Sequence, residues 1–309
     1  MNVALLVVLQ LINLLVIPLL LVGVIKKTKA LMQMRIGAPV LQPFYDVVKL
    51  LRKSETISET ASWVFVWAPR IGLVVALLVA VLVPWAGPLL PEMATPAGNF
   101  LLVLYLLALS RFMSMLSALD TGSAFGGLGA SREATISMLV EPTLVLSLGA
   151  LALPCSSMDL QVIFTTVCSP VVAGLAGVAL LLAALAELSR MPIDDPTTHL
   201  ELTMVHEAMI LENSGPNLAM IEYATALRTC AFLGLAAQAF LREWPTFDTL
   251  PLIVRYGVGL SGVILVGIIV AVFEGVAVKL KWRSVPNFLI FATVSGFIAA
   301  LVAATQLKP

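Results

Sequence analysis

Residues able to do chemistry concentrate in one stretch, Glu187-Leu-Ser-Arg-Met-Pro-Ile-Asp-Asp-Pro-Thr-Thr-His-Leu-Glu-Leu-Thr-Met-Val-His-Glu-Ala-Met-Ile-Leu-Glu-Asn-Ser-Gly215. It holds Glu187, Asp194, Asp195, Glu201, Glu207 and Glu212, six of the 18 acidic residues, and both histidines, His199 and His206. A dense acidic segment between apolar runs has either an aqueous partner to dock or protons to handle. A second set lies inside or at the edge of the apolar runs: Arg111, Glu141, Glu187, Glu222, Arg228 and Glu274. An ionisable group at the bilayer centre costs about 2.5–3.5 kcal/mol on insertion scales, so such groups occupy paired or functional positions. A desolvated carboxyl holds its proton more tightly and a neighbouring arginine loosens it. A string of these groups joined by water therefore suits a proton relay or an electrostatic transmission line. Any single pair also reads as a static interhelical bridge. As a set, their one-sided clustering beside the acidic segment favours a relay through Glu141, Glu187, Glu201 and Glu274, tuned by Arg111 and Arg228.

Metal chemistry finds little support. His199 and His206 are seven apart, on one face if the segment is helical, with Glu201 and Glu207 nearby. No His-Glu-x-x-His is present, and an acidic interfacial helix accounts for the same residues. Cys155, Cys168 and Cys230 form no Cys-x-x-Cys pair, so neither an iron–sulfur cluster nor a zinc site is encoded.

The elements that position these groups are membrane helices. The 309-residue chain is 60% hydrophobic and 12% charged, with a mean hydropathy of +1.03, far from the balance of a soluble domain. Zero net charge argues against an electrostatic nucleic-acid binder. Eight segments reach spanning length, at 3–25, 64–87, 99–119, 135–153, 171–188, 217–240, 252–278 and 286–306. The expectation is one all-α, polytopic membrane domain over 1–309, with loops at about 26–63, 120–134, 188–216 and 279–285 on one side. Those odd loops carry most of the Lys and Arg, which places them in the cytoplasm and both termini outside, in a cytoplasmic (inner) membrane.

Within the first loop, Val40 to Lys53 has apolar residues at helical spacing and Lys49, Arg52 and Lys53 at one end, which predicts a short interfacial amphipathic helix. The run from Leu119 to Glu133 is rich in Gly and Ser and reads as a loop packed beneath a neighbour. Glu133 is expected to favour the N-terminus of the fourth helix.

Several stretches resemble a known family. Ala118-Leu-Asp-Thr-Gly-Ser-Ala-Phe125, Gly129-Ala-Ser-Arg-Glu133, Leu139-Val-Glu-Pro142, Val272-Phe-Glu-Gly275 and Lys279-Leu-Lys-Trp-Arg283 resemble the membrane subunit of group 4 energy-converting NiFe hydrogenases, of formate hydrogenlyase and hydrogenase-4 type. That subunit is homologous to the eight-helix quinone-chamber subunit (NADH dehydrogenase subunit 1-like) of respiratory complex I. Gly37 to Leu51, Ala186 to Asp194 and Met220-Ile-Glu-Tyr223 are similar to further elements of that superfamily.

The resemblance implies an anchor and coupling subunit with no active site of its own. NiFe and iron–sulfur cofactors would then reside in partners, namely cytoplasmic hydrogenase-like large and small subunits, alongside antiporter-like membrane subunits. It places Glu141, Glu187, Asp194 and Glu201 in an acidic pathway beneath the peripheral arm and matches Asp120, Arg132 and Glu133 to the hydrogenase-side motif. Arg35, Asp46, Arg52 and Lys53 join those three as the expected docking face. The chain departs from the pattern at Pro192-Ile-Asp-Asp-Pro-Thr-Thr-His199, where Thr197 and His199 replace carboxylates and the acids shift toward Asp195, Glu207 and Glu212. Quinone binding and a stand-alone ion-coupled transporter remain alternatives, and the residues do not distinguish H⁺ from Na⁺.

Overall fold

The computed structural model describes residues 3–85, 98–166, 168–194, 204–242 and 250–306. The expectations for Asp195, Thr197, His199 and Glu201 fall on 195–203 and lie outside the described residues. Twelve α-helices make up the described fold: α1 (Val3–Leu15), α2 (Ile17–Met32), α3 (Gln42–Leu51), α4 (Trp63–Leu82), α5 (Phe100–Asp120), α6 (Ala124–Ala152), α7 (Leu160–Thr165), α8 (Pro170–Glu187), α9 (His206–Ile210), α10 (Gly215–Leu241), α11 (Leu252–Val276) and α12 (Val285–Gln306). Seven helices are long and apolar enough to span a membrane, and the α1–α2 pair makes an eighth if it is one broken span. The molecule is thus a multi-pass all-α membrane protein.

α10 is the central post. Its spanning window is 78% buried, against 33% for those of α5, α11 and α12, and it packs on α2, α3, α4, α8 and α11. Small residues such as Ala224, Ala231, Gly234 and Ala236 let neighbours approach it closely. α6, α8 and α12 form one group and α4 with α5 another. α12 turns Phe291, Val294, Phe297 and Leu301 outward, the apolar surface a lipid-facing helix requires.

The first span is broken. α1 and α2 meet at 41° around Val16, because Pro18 in the first turn of α2 lacks the N–H that would reach the carbonyl of Leu14. The hydroxyl of Tyr223 on α10 donates to that carbonyl instead. Asn13 accepts from Tyr256 on α11 at 2.6 Å, so both sides of the break are tied to the bundle.

The short amphipathic helix expected in the first loop is present as α3. The segment after it is stitched to the start of α10: Thr56 N–H donates to Ser214 Oγ at 2.9 Å, and that hydroxyl donates to Thr56 O at 3.0 Å. Gly215 has φ +52° and its absent Cβ would lie 2.8 Å from Ser54 O, so the stitch requires glycine.

The Gly/Ser-rich run departs from expectation. α6 begins at Ala124 rather than near 135, so the run expected to be a loop is its first turns, capped by Ser123 Oγ accepting from Gly126 N–H at 3.3 Å. The absent side chains of Gly126 and Gly129 admit the backbone of Ala118 and of Val205. Close approach, not an irregular backbone, is what these glycines provide. Twenty-nine helical residues rise roughly 44 Å, well beyond a hydrocarbon core of about 30 Å.

Candidate functional site

Five helices bring ionisable groups together at one end of the bundle. Arg111 of α5 is 4% exposed, its Nε 3.1 Å from Glu187 Oε1 and its Nη2 3.5 Å from Glu141 Oε1. Glu187, the last residue of α8, is buried, whereas the Glu141 side chain is 53% exposed on the outer face of α6. One guanidinium thus links an interior carboxylate to one at the protein surface.

Glu133 is buried on α6. With Arg111, Glu187, His206 of α9 and Arg228 of α10 it lines a small cavity of about 10 Å³. Glu133 therefore belongs to this interior site and not to an exposed docking face. Nor does it serve the N-terminus of α6, which starts nine residues earlier. The Arg111–Glu187 pair is close but not aligned as a hydrogen bond. Among the described residues both Glu187 oxygens, Glu133 Oε2 and Arg228 Nε have no hydrogen-bond partner. Buried polar groups normally find partners, and the residues of these unpartnered atoms line one small cavity.

A larger chamber of about 240 Å³ adjoins this cavity through Leu188, His206 and Thr225. Lys26, Lys29, Arg190, Asp194, Glu207, Glu222 and Glu274 give it an ionic lining. It continues past Lys26 and Glu222 into a cavity of about 140 Å³ between α2, α3 and α10 that also reaches Asp46. Burial lowers the pKa of His206 to about 4, with Arg228 acting in the same direction and Asp194 opposing it. Burial raises the pKa of Glu207, helped by Glu222 and Asp194 and countered by Lys26.

Two of the expected relay carboxylates sit in fixed ionic clamps. Glu274 accepts from Arg190 at 2.9 Å and lies 3.7 Å from Lys29, joining α11, the start of the acidic loop and α2. Asp194, 1% exposed, accepts from Lys279 Nζ at 2.9 Å and from the backbone N–H of Val205 at 2.9 Å and His206 at 3.3 Å. It folds the two described ends of the acidic loop together beneath the linker that follows α11. Glu212 is exposed on the loop surface, away from the clamps.

The expected docking residues divide. Arg35, Arg52 and Lys53 are exposed. Asp46 accepts from Gln42 at 2.8 Å. Asp120 accepts the N–H of Ser62 at 2.7 Å and of Phe65 at 3.2 Å, capping α4 from the end of α5. Arg132 donates to Met204 O at 3.1 Å and stacks on Trp282, holding the acidic loop against the start of α12. Sequence reasoning missed Lys29, Arg190 and Lys279 as ionic partners. It also passed over Ser110, Ser114 and Ser117, whose spacing of four and three marks one polar stripe on α5. Among the described residues no group of three His, Cys, Asp or Glu is placed to hold a metal ion. Cys155 and Cys230 form no disulfide.

Fold and site together define a polytopic membrane protein with a buried, branched ionic network at one end of its helix bundle. The sequence pattern of the NADH dehydrogenase family matches residues 3–305, and the chain belongs to that family. It is 33% identical over 236 residues to hydrogenase-4 component C of Escherichia coli (strain K12), covering 75% of this chain and 73% of that one. It is 29% identical over 299 residues to formate hydrogenlyase subunit 4 of the same organism, covering 93% of each chain. A chain of the membrane-bound sulfane sulfur reductase, an archaeal respiratory membrane complex, superposes with a TM-score of 0.81 over 98% of this chain and 100% of its own, at 21% identity, a likeness of fold.

Proposed function

We propose that this chain is the membrane-anchor and coupling subunit of a hydrogenase-like or complex I-like oxidoreductase. It docks a cytoplasmic iron–sulfur arm on its basic loop face and relays redox-driven charge changes to ion translocation in antiporter-like neighbours. NiFe and iron–sulfur chemistry belongs to the partners. The observation that carries this reading is Arg111, held between buried Glu187 and the half-exposed Glu141 on the outer face of α6. A change of charge at the interior carboxylate alters the field at a carboxylate that a neighbouring subunit would cover. The network of Glu133, Glu187, Glu207, Glu222 and Arg228 connects that pair to the loop face, while Asp194 and Glu274 hold the loop in place.

Purification in mild detergent tests the class: co-purification of an iron–sulfur partner is expected, and a monomer or homodimer without one overturns the proposal in favour of a stand-alone transporter. Glu141→Gln is expected to abolish redox-driven ion pumping while leaving assembly and dye-linked partner activity intact. Unchanged pumping removes Glu141 from the relay.

Quinone binding is the second reading, favoured by the lateral cavity between α2, α3 and α10. The ionic lining of the chamber behind it suits water and ions better than an apolar ring, which takes mostly apolar walls.

A further inference from the structure

The small cavity around Glu133 and Glu187 has a second neighbour, which shares no lining residue with the ionic chamber. This cavity, of about 30 Å³, lies where α4, α5 and α10 meet beneath α9. Its polar lining is uncharged apart from Arg228: Ser110, Ser114 and Ser117 descend one face of α5, and Asn213 closes the loop-side end. Ser114, Met209 and Arg228 line both this cavity and the Glu187 cavity, so the two are contiguous. Ser117 Oγ and Asn213 Oδ1 are buried without a hydrogen-bond partner among the described residues. Leu211 and Glu212, immediately before Asn213, are exposed. Volumes of this size hold about two waters here and about one in the Glu187 cavity, each with the two or more polar partners a buried water needs.

We propose that the serine-lined cavity is a proton intake that loads the Arg111–Glu187 site from the basic loop face without passing through the ionic chamber. The inference rests on the relay reading above. A proton arriving at water beside Asn213 and Ser117 passes along water and the Ser114 hydroxyl to a Glu187 oxygen, turning the carboxylate into the neutral acid. Each hydroxyl gives up one proton as it accepts another, so none is consumed on the way. Arg228 stands at the junction of the two cavities. With Glu133, Glu187 and the half-exposed Glu141 all ionised, three carboxylates face Arg111 and Arg228 and an excess proton is admitted. With Glu133 and Glu187 protonated, only Glu141 still offsets the two guanidinium groups, and the net positive charge repels the next proton. The intake thereby limits itself to loading the site.

Gly72 on α4 offers a mild obstruction. A Cβ there would project to within 3.7 Å of Ser110 Oγ, an ordinary contact, and would take up room that water would otherwise fill. Alanine also suits a helix interior better than glycine. The test uses the purified complex in liposomes and measures the rate of proton uptake, in H₂O and in D₂O. Gly72→Ala combined with Ser114→Ala is expected to slow uptake by roughly tenfold and enlarge the isotope effect. Gly72→Ser with Ser114→Thr, similar in bulk but keeping hydroxyls, is expected to restore it. Glu187→Gln is run in parallel and should abolish uptake. If Glu187→Gln abolishes uptake while the alanine pair behaves as wild type, the intake is overturned and the relay stands. If Glu187→Gln has no effect, the relay reading falls and takes the intake with it. Equal slowing by the alanine and hydroxyl-bearing pairs also overturns the intake, because bulk alone then explains the effect.

Discussion

Breaking the Asp194 clamp is expected to release the acidic loop, and the order of the variants is the informative part. Asp194 is 1% exposed and accepts from Lys279 and from two backbone N–H groups, while the Lys279 side chain keeps 23% exposure. Removing one member of a buried ion pair costs about 3–5 kcal/mol, because the other charge is left uncompensated. Lys279→Met takes this ammonium away from a carboxylate that is 1% exposed, and belongs near 3 kcal/mol on that scale. Asp194→Asn leaves the ammonium with some water and an oxygen for the amides, so it belongs lower, about 1–2 kcal/mol. The double variant has no buried charge to strand and is expected to be more stable than Lys279→Met alone, with a coupling of about 1–3 kcal/mol. Apparent unfolding temperature in detergent ranks the three proteins, and hydrogen exchange or limited proteolysis across 188–216 reports loop release. Additive effects, with the double variant the least stable, would refute the reasoning. Wild-type protection of the loop in Lys279→Met would refute the clamp.

Tyr223→Phe leaves the Leu14 carbonyl without its donor and is expected to lower stability by about 1–2 kcal/mol. Adding Pro18→Ala, which restores an N–H to that carbonyl, should recover most of the loss on the same unfolding assay. His206 titrates near 4 in the folded chain against 6.5 unfolded, so its contribution is full above about pH 6.5 and is lost as pH falls toward 4. The unfolded chain takes up the proton first. At most about 3 kcal/mol is involved, less because the ring retains some contact with water. His206→Gln should flatten this part of the unfolding-temperature profile, and parallel profiles would remove His206 as its source. Charge reversal at exposed Arg52 and Lys53 should lower the amount of peripheral partner that co-purifies, by roughly tenfold at low salt and less at high salt. Full retention at low salt would move the docking face elsewhere.

Spans and the amphipathic helix of the first loop were legible because each carries its own signal: length and hydropathy for the spans, apolar periodicity with a basic end for α3. The start of α6 was not. Gly126, Gly127 and Gly129 are poor helix formers, and only the approach of the Ala118 and Val205 backbones explains why two of them occur inside a helix. The same misreading placed Glu133 at a helix start, whereas the earlier N-terminus turns it into the interior. Arg111 was legible as an ionic group inside a span. Its two partners were not, since pairing across α5, α6 and α8 is a property of packing. Lys29, Arg190 and Lys279 lie in loops or at helix ends, where one sequence cannot separate a solvated charge from a clamped one. The Ser110, Ser114 and Ser117 stripe could have been found, being polar at helical spacing in an otherwise apolar run.

The position of Arg111 between two carboxylates has a thermodynamic consequence. A partner that covers Glu141 and draws on the guanidinium changes the proton affinity of Glu187 by some factor. Linkage then requires that protonating Glu187 change the partner's affinity by the same factor. Assembly of the membrane domain and loading of its interior acid are therefore reciprocal quantities. Measuring how tightly the neighbouring subunit binds as a function of pH would report the coupling free energy without any turnover at all.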